Sequence, residues 1–390
     1  MPPIVHTASE FKRMVREKDH DAISMTEIIT CAMMSVVESV STEFSIQVPE
    51  GIPPGFVDSI RMNGLSVTPD MVRDDHLDCM ILGETERDDG YGTGHLYRDI
   101  VSGNPIDVEA IIGDRVYRFN ATIDDMSKST MTALYDTLTS MRAYVNDGPK
   151  RRPCLYSAPN GLNGNRSECS VIGCGEIEPL FNHRNGSILK VGDLALLNGS
   201  KGKVIRASDD ESDDIRYVQI SADMHNMDPY FMGGFSSPYG PMNVVSVATA
   251  IRLENGDLNR ELVVSDCGVP LPISYRDNTE SKFWDSYGNV WSDNYDVMAD
   301  LTKCIHCDKC TADSNCPMGA HPSTIADVGL CLSCGSCIGN CEGGVFSGSL
   351  GRICVDGEIV PVSIRLSSRK KAEELCEILK QRIRDGGWYD

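Results

Sequence analysis

Apolar positions recur along this chain at two spacings, a helical one near both ends and a strand-like one through the middle. Phe11 and Met14 share one side of residues 9–18, which predicts a short polar helix, and Thr26 stands where it would cap a second helix running to Val40. Residues 79–83 and 106–112 read as strands, and the second continues through Gly113-Asp114 into a strand over 115–122. Met126, Met131, Leu134, Leu138 and Met141 predict a long helix over residues 124–145. Strands return at 194–197 and 203–206, joined by an Asn198-Gly199 turn, and again at 352–355 and 358–365, joined by Asp356-Gly357. A closing helix over 368–384 carries one apolar stripe of Ala372, Leu375, Cys376, Leu379 and Ile383. The tail must dock elsewhere, because an isolated hairpin and helix bury too little surface to be stable.

Three polar stretches interrupt this pattern. Residues 90–95 form a glycine-rich loop leading into a short helix over 96–101, but the glycines lack the spacing of a dinucleotide fingerprint. Residues 153–179 are glycine-rich and could offer backbone N–H groups to an anion. Residues 209–214 are an acidic run without calcium-loop spacing, which reads as solvated surface.

The chemistry concentrates late in the chain. Cys304, Cys307 and Cys310 form one triplet with two residues between neighbours, followed after five residues by Cys316-Pro317. Cys331, Cys334 and Cys337 form a second, followed after three residues by Cys341. Such spacing lets three thiolates curl round one four-iron cubane while the outlying cysteine reaches across to the other. It assigns Cys304, Cys307, Cys310 and Cys341 to one [4Fe-4S] cluster, and Cys331, Cys334, Cys337 and Cys316 to a second. Residues 300–350 thus resemble bacterial two-cluster ferredoxins, with an enlarged loop at 311–315 and Glu342 in place of a second proline. Zinc is the alternative, but its tetrahedral sites take two cysteine pairs and would idle the third member of each triplet.

At 390 residues the chain has room for two or three domains, so a module of this size leaves most of it for another task. The pattern predicts a mixed α+β body over 1–295, a cluster module over 296–351, and a hairpin-helix tail over 352–390. A net charge of −21 argues against nucleic acid and anionic membrane as partners. No apolar run reaches a membrane span, and the first residues lack a signal-peptide pattern, so a cytoplasmic protein is expected. Sixteen cysteines then imply a reducing compartment, and low-potential clusters an anaerobe.

Of the other cysteines, Cys79, Cys376, Cys267 and Cys354 read as small structural residues, whereas Cys154, Cys169 and Cys174 lie in or beside the central glycine-rich stretch. Cys31 is expected near the start of the helix capped by Thr26, where helix-terminal N–H groups would favour a thiolate, although a buried, inert thiol suits the same context.

Six short segments carry a wider resemblance: residues 29–34, 90–103, 121–125, 173–180, 197–202 and 360–365. Through them the chain resembles the homocysteine biosynthesis family of anaerobic archaea and bacteria, and most closely the branch termed methanogenesis marker 16 metalloprotein. Members are proposed to insert sulfur into aspartate semialdehyde. The resemblance places the family's first-motif cysteine on Cys31, making it the candidate sulfur carrier, while residues 113–120 lack the family's second cysteine. It implies a small aldehyde and a sulfur donor as substrates and two [4Fe-4S] clusters as the electron source. His95 is a candidate proton donor. With no nicotinamide or flavin motif, electrons are expected from a low-potential, ferredoxin-like protein. Two other readings stay open: an electron-transfer or assembly factor of methanogenesis without sulfurtransferase activity, and an iron-sulfur oxidoreductase acting on a different carbonyl compound.

Overall fold

A computed structural model describes residues 2–389, apart from 38, 84, 88, 155, 158, 183–188, 209–215, 254–259, 276–279, 293–295 and 325–328. The acidic run at 209–214 lies outside these residues. The described chain is mixed α and β, with two large sheets and few helices.

The strand Ile28–Val37 explains the main departure from the sequence pattern. All ten of its residues are buried, so it shows no alternation from which a strand could be read. It pairs in parallel with Val5–Thr7 on one side. On the other it runs antiparallel to Gly240–Arg252, with Ile28 opposite Arg252 and Val37 opposite Asn243. The expected helix from Thr26 to Val40 is therefore two strands, the second being Ser39–Gln47. Thr26 instead ends the short helix His20–Met25.

The expected helix over 124–145 is also mostly strand. Met126–Asp136 sits between Tyr217–Asp223 and Ser39–Gln47, antiparallel to both, and buries Ser129, Met131, Ala133 and Tyr135 in strict alternation. Asp136 then caps a four-residue helix, Thr137–Ser140, and the chain enters the second sheet at Arg142–Val145.

From one edge the large sheet runs Val5–Thr7, Ile28–Val37, Gly240–Arg252, Leu194–Leu197, Ser200–Ala207, Tyr217–Asp223, Met126–Asp136, Ser39–Gln47 and His76–Leu82. Leu65–Arg73, Ser59–Met62, Ile106–Ile112 and Arg115–Ala121 complete that path. The second sheet orders Glu280–Ser286, Pro270–Tyr275, Arg142–Val145, Cys169–Ile172, Glu358–Arg365 and Arg352–Val355. Its closing hairpin turns at Asp356 and Gly357, both at positive φ, the backbone that a two-residue hairpin turn requires. Glu358–Arg365 pairs in parallel with Cys169–Ile172.

The helix Arg369–Arg384 lies across Ile28–Val37 and Gly240–Arg252 and buries Ala372, Leu375, Cys376, Leu379 and Ile383. The two sheets meet where it begins. Val36 N–H donates to the Leu366 carbonyl at 3.0 Å, Leu366 N–H to Val171 at 2.8 Å, and Ser368 N–H to Met34 at 2.9 Å. Among the described residues no helix is long and apolar enough to cross a membrane.

Candidate functional site

The eight late cysteines border two cavities. Cys304, Cys307, Cys310 and Cys341 line one of about 300 Å³, and Cys316, Cys331, Cys334 and Cys337 line another of about 410 Å³. Cys316 and Cys341 have crossed over, each standing with the triplet of the other run. Phe346 touches both cavities and, with Ala312 and Val345, forms a small core between them. Among the described residues no three His, Cys, Asp or Glu side chains converge on one point, so the thiols border each cavity rather than gather at its centre.

The two triplets are built alike. His306 and Ser333, each two residues after the first cysteine, take the left-handed conformation at φ 53° and 55°. That turn aims the His306 N–H at Cys304 Sγ (3.5 Å) and the Ser333 N–H at Cys331 Sγ (3.3 Å). The Ala320 N–H does the same for Cys316 Sγ at 3.4 Å. N–H donors aimed at sulfur favour its charged form. A short helix, Thr311–Ser314, follows the first triplet, another, Ser336–Asn340, carries the last cysteine of the second, and the two are joined by the Thr311 hydroxyl donating to the Asn340 carbonyl.

The cavities differ in setting. Cys307 is exposed, as are Leu301 and Ile305 beside it, whereas Cys334 is buried. The second cavity backs onto the large sheet and the second sheet together. Ser236 N–H donates to the Pro317 carbonyl at 2.7 Å, and the Arg365 backbone N–H donates to the Cys334 carbonyl at 2.9 Å. The glycine-rich loop and its helix, Thr93–Val101, pack on the same Gly233–Ser237 strand. A Cβ on Gly94 would stand 2.5 Å from the Gly233 carbonyl oxygen, so this contact admits glycine alone. His95 accepts the Gly92 N–H at Nδ1 (3.1 Å) and is largely buried, which lowers its pKa and leaves it tying down the loop.

Cys31 stands elsewhere. It lies in the middle of Ile28–Val37, opposite Thr249, with no exposed surface. The helix terminus expected to activate it is absent, and burial pushes its thiol up to about 12. The one opposing influence is the ammonium of Lys12, itself buried and donating to the Val264 carbonyl at 2.7 Å. Burial lowers Lys12 to about 8, against the pull of Cys31, Glu176 and Asp266. Cys376 feels both Cys31 and Cys174 electrostatically, so three buried thiols share this part of the core.

The segment 173–180 borders the same region. A Cβ on Gly173 would lie 2.1 Å from the Tyr287 hydroxyl, which excludes any larger residue. The loop's N–H groups are taken by the chain's own acceptors: Gly173 donates to Ser367 Oγ, Cys174 to Glu178 Oε2 and Glu176 to Asp266 Oδ1. Arg369 bonds Asp266 at 2.5 Å and Glu176 at 3.4 Å, and Arg16 reaches Glu176 at 3.0 Å. Glu178 is fully buried, and burial raises its carboxyl to about 8. The sequence pattern did not single out Lys12, Arg369 or Lys371 as functional; three successive cations opening the last helix were the available signal.

Of the cysteines expected to be structural, Cys79 and Cys376 are buried, but Cys267 lies exposed in the turn Asp266–Gly268 and Cys354 on the open face of its strand. Cys169 and Cys174 are buried and their thiols pushed up, and Cys154 is half-buried.

A family model described as "Homocysteine biosynthesis enzyme, sulfur-incorporation" matches residues 3–389. An uncharacterized protein of Methanothermobacter thermautotrophicus is 27% identical over 98% of this chain and 90% of its own length. An uncharacterized protein of Methanocaldococcus jannaschii is 26% identical over 98% of this chain and 97% of its own. No solved structure matches.

Proposed function

The chain belongs to the homocysteine biosynthesis, sulfur-incorporation family, and on that premise we propose that it inserts sulfur reductively into aspartate semialdehyde to give homocysteine. The overall change is aldehyde plus hydrogen sulfide plus two electrons and two protons, giving thiol plus water. Sulfur adds to the carbonyl carbon, water leaves, and the resulting carbon–sulfur double bond takes up the electrons and protons. Two [4Fe-4S] clusters, held by the eight cysteines, would supply those electrons one at a time.

Four sulfurs on each cavity wall support this reading most directly, because that is the donor set a four-iron cubane takes. Residues 296–351 then form a ferredoxin-type module on a catalytic body, and the outward first cavity would meet a low-potential, ferredoxin-like donor. Cys31 is the proposed sulfur carrier, as a persulfide delivered by a sulfur donor, and the Lys12 ammonium would favour the sulfur anion. The outer sulfur of a persulfide is two electrons more oxidised than sulfide, so that route would draw four electrons per homocysteine. One observation favours a second reading, an electron-transfer or assembly protein without sulfurtransferase activity: Cys31 is wholly enclosed and its thiol stays protonated at neutral pH.

The test is anaerobic incubation of the iron-loaded chain with aspartate semialdehyde, sulfide and a low-potential reductant. Homocysteine formation supports the enzyme. Its absence with all iron retained favours the relay.

A further inference from the structure

The first turn of the helix Arg369–Arg384 holds three cations, Arg369, Lys370 and Lys371, and no acid. This opposes the helix dipole, whose positive end favours anions. Arg369 is answered by Asp266 and Glu176, and Lys370 by Asp296 at 3.3 Å. Lys371 is not answered in that way. It is 4% exposed, its Nζ donates to the carbonyls of Tyr230 (2.9 Å) and Gly329 (2.5 Å), and it lies 4.1 Å over the Tyr230 ring. Yet among the described residues no carboxylate lies within ion-pair distance of it, and Glu374 and Asp228 act on it only from farther away. A buried cation left without a counter-charge is strongly disfavoured.

Lys371 lines the second cavity together with Cys331, Cys334, Cys316 and Cys337, and the acidic groups that act on it electrostatically are Cys331, Glu374 and Asp228. Lys370 and Asp296, which also line the second cavity, pair with and offset each other, leaving Lys371 as its added cation. The first cavity has no Lys or Arg among its described lining residues and has Glu342 beside His306. A cubane with four thiolates passes from dianion to trianion on reduction, so a fixed cation beside it favours the reduced form and a fixed anion disfavours it.

We propose that Lys371 is the counter-ion of a cluster in the second cavity and makes that cluster the more readily reduced of the two. An electron entering at the outward cavity would then come to rest preferentially at the inward one, beside the Gly233–Ser237 strand. This rests on reading the two cavities as cluster sites.

The test is a redox titration of the anaerobic full-length chain, followed by electron paramagnetic resonance, after iron and acid-labile sulfide have been measured. Wild-type protein with far fewer than about eight irons would defeat the cluster reading itself. With iron in place, K371M is expected to move one midpoint to more negative potential and leave the other unchanged. The expected size is about a tenfold loss of the reduced form at fixed poise, or about 59 mV for one electron. K371R is expected to stay near wild type, and K371Q repeats the test should the Met variant lose iron. Unchanged midpoints, or both moving together, would overturn the role of Lys371.

Discussion

Cys316 and Cys331 belong to different cysteine runs, yet they border the same cavity, and Cys331 helps to raise the Cys316 thiol on top of its burial. The loop between Cys310 and Cys316 is longer than the three residues before Cys341, which crosses equally, so the crossing does not depend on the added length. Its residues Thr311–Ser314 coil into a single turn of helix, which keeps the added length compact. Crossed ligation has a consequence that chain order alone would not suggest. C316A is expected to lose the cluster of the second triplet, leaving about four irons, and C341A that of the first. The resonance sensitive to Lys371 should therefore vanish in C316A and persist in C341A. Bound zinc in place of iron, or both variants losing the same resonance, would refute the assignment.

Arg369 joins the last helix to the segment 173–180 through Asp266 and Glu176, and all three side chains are largely withdrawn from water. Removing the guanidinium leaves Asp266 without its ion-pair partner and Glu176 with Arg16 alone. R369M is expected to cost about 3–5 kcal/mol, read as a lower urea midpoint at unchanged slope. The double variant R369M/D266N should recover part of that loss. A drop equal to or larger than that of the single variant would show that packing, and not charge, sets the effect.

The division of the eight late cysteines between two cavities was legible in the sequence because their spacing is covalent chain geometry, set by how far two residues can reach. The hairpins at 198–199 and 356–357 were legible for a similar reason, since their turns need residues that accept positive φ. Ile28–Val37 and Met126–Asp136 were not. An apolar run buried on both faces loses the alternation that marks a strand, and Met126, Met131 and Leu134 fall near helical spacing although burial in the sheet follows Ser129, Met131, Ala133 and Tyr135. What decided these elements was pairing with strands more than eighty residues away, such as Gly240–Arg252, which no local window contains. The same misreading gave Cys31 a helix terminus it does not have.

Cys31 should behave accordingly. With no exposed surface and a thiol near 12, it is expected to resist iodoacetamide at pH 8 in the native chain and to react fully once unfolded. Cys267, exposed in its turn, serves as the reactive internal control. If Cys31 carries the sulfur, C31S abolishes homocysteine formation while cluster absorbance stays intact. Unchanged turnover in C31S removes it from the mechanism.

Glu178 links burial to pH. Its carboxyl is raised from 4.5 to about 8 by burial, so between these values the native chain holds a proton that the unfolded chain releases. The native state then binds more protons than the unfolded one, and stability falls as pH rises through that window. The contribution is complete below about 4.5 and lost by pH 8 and above, on the order of a few kcal/mol. E178Q keeps the shape and carries no titrating proton. Thermal midpoints measured from pH 5 to 9 should therefore decline for the wild type and decline less steeply for E178Q. Parallel curves would mean that Glu178 is ionised in the folded chain, with a counter-charge such as Arg216 holding it in that form.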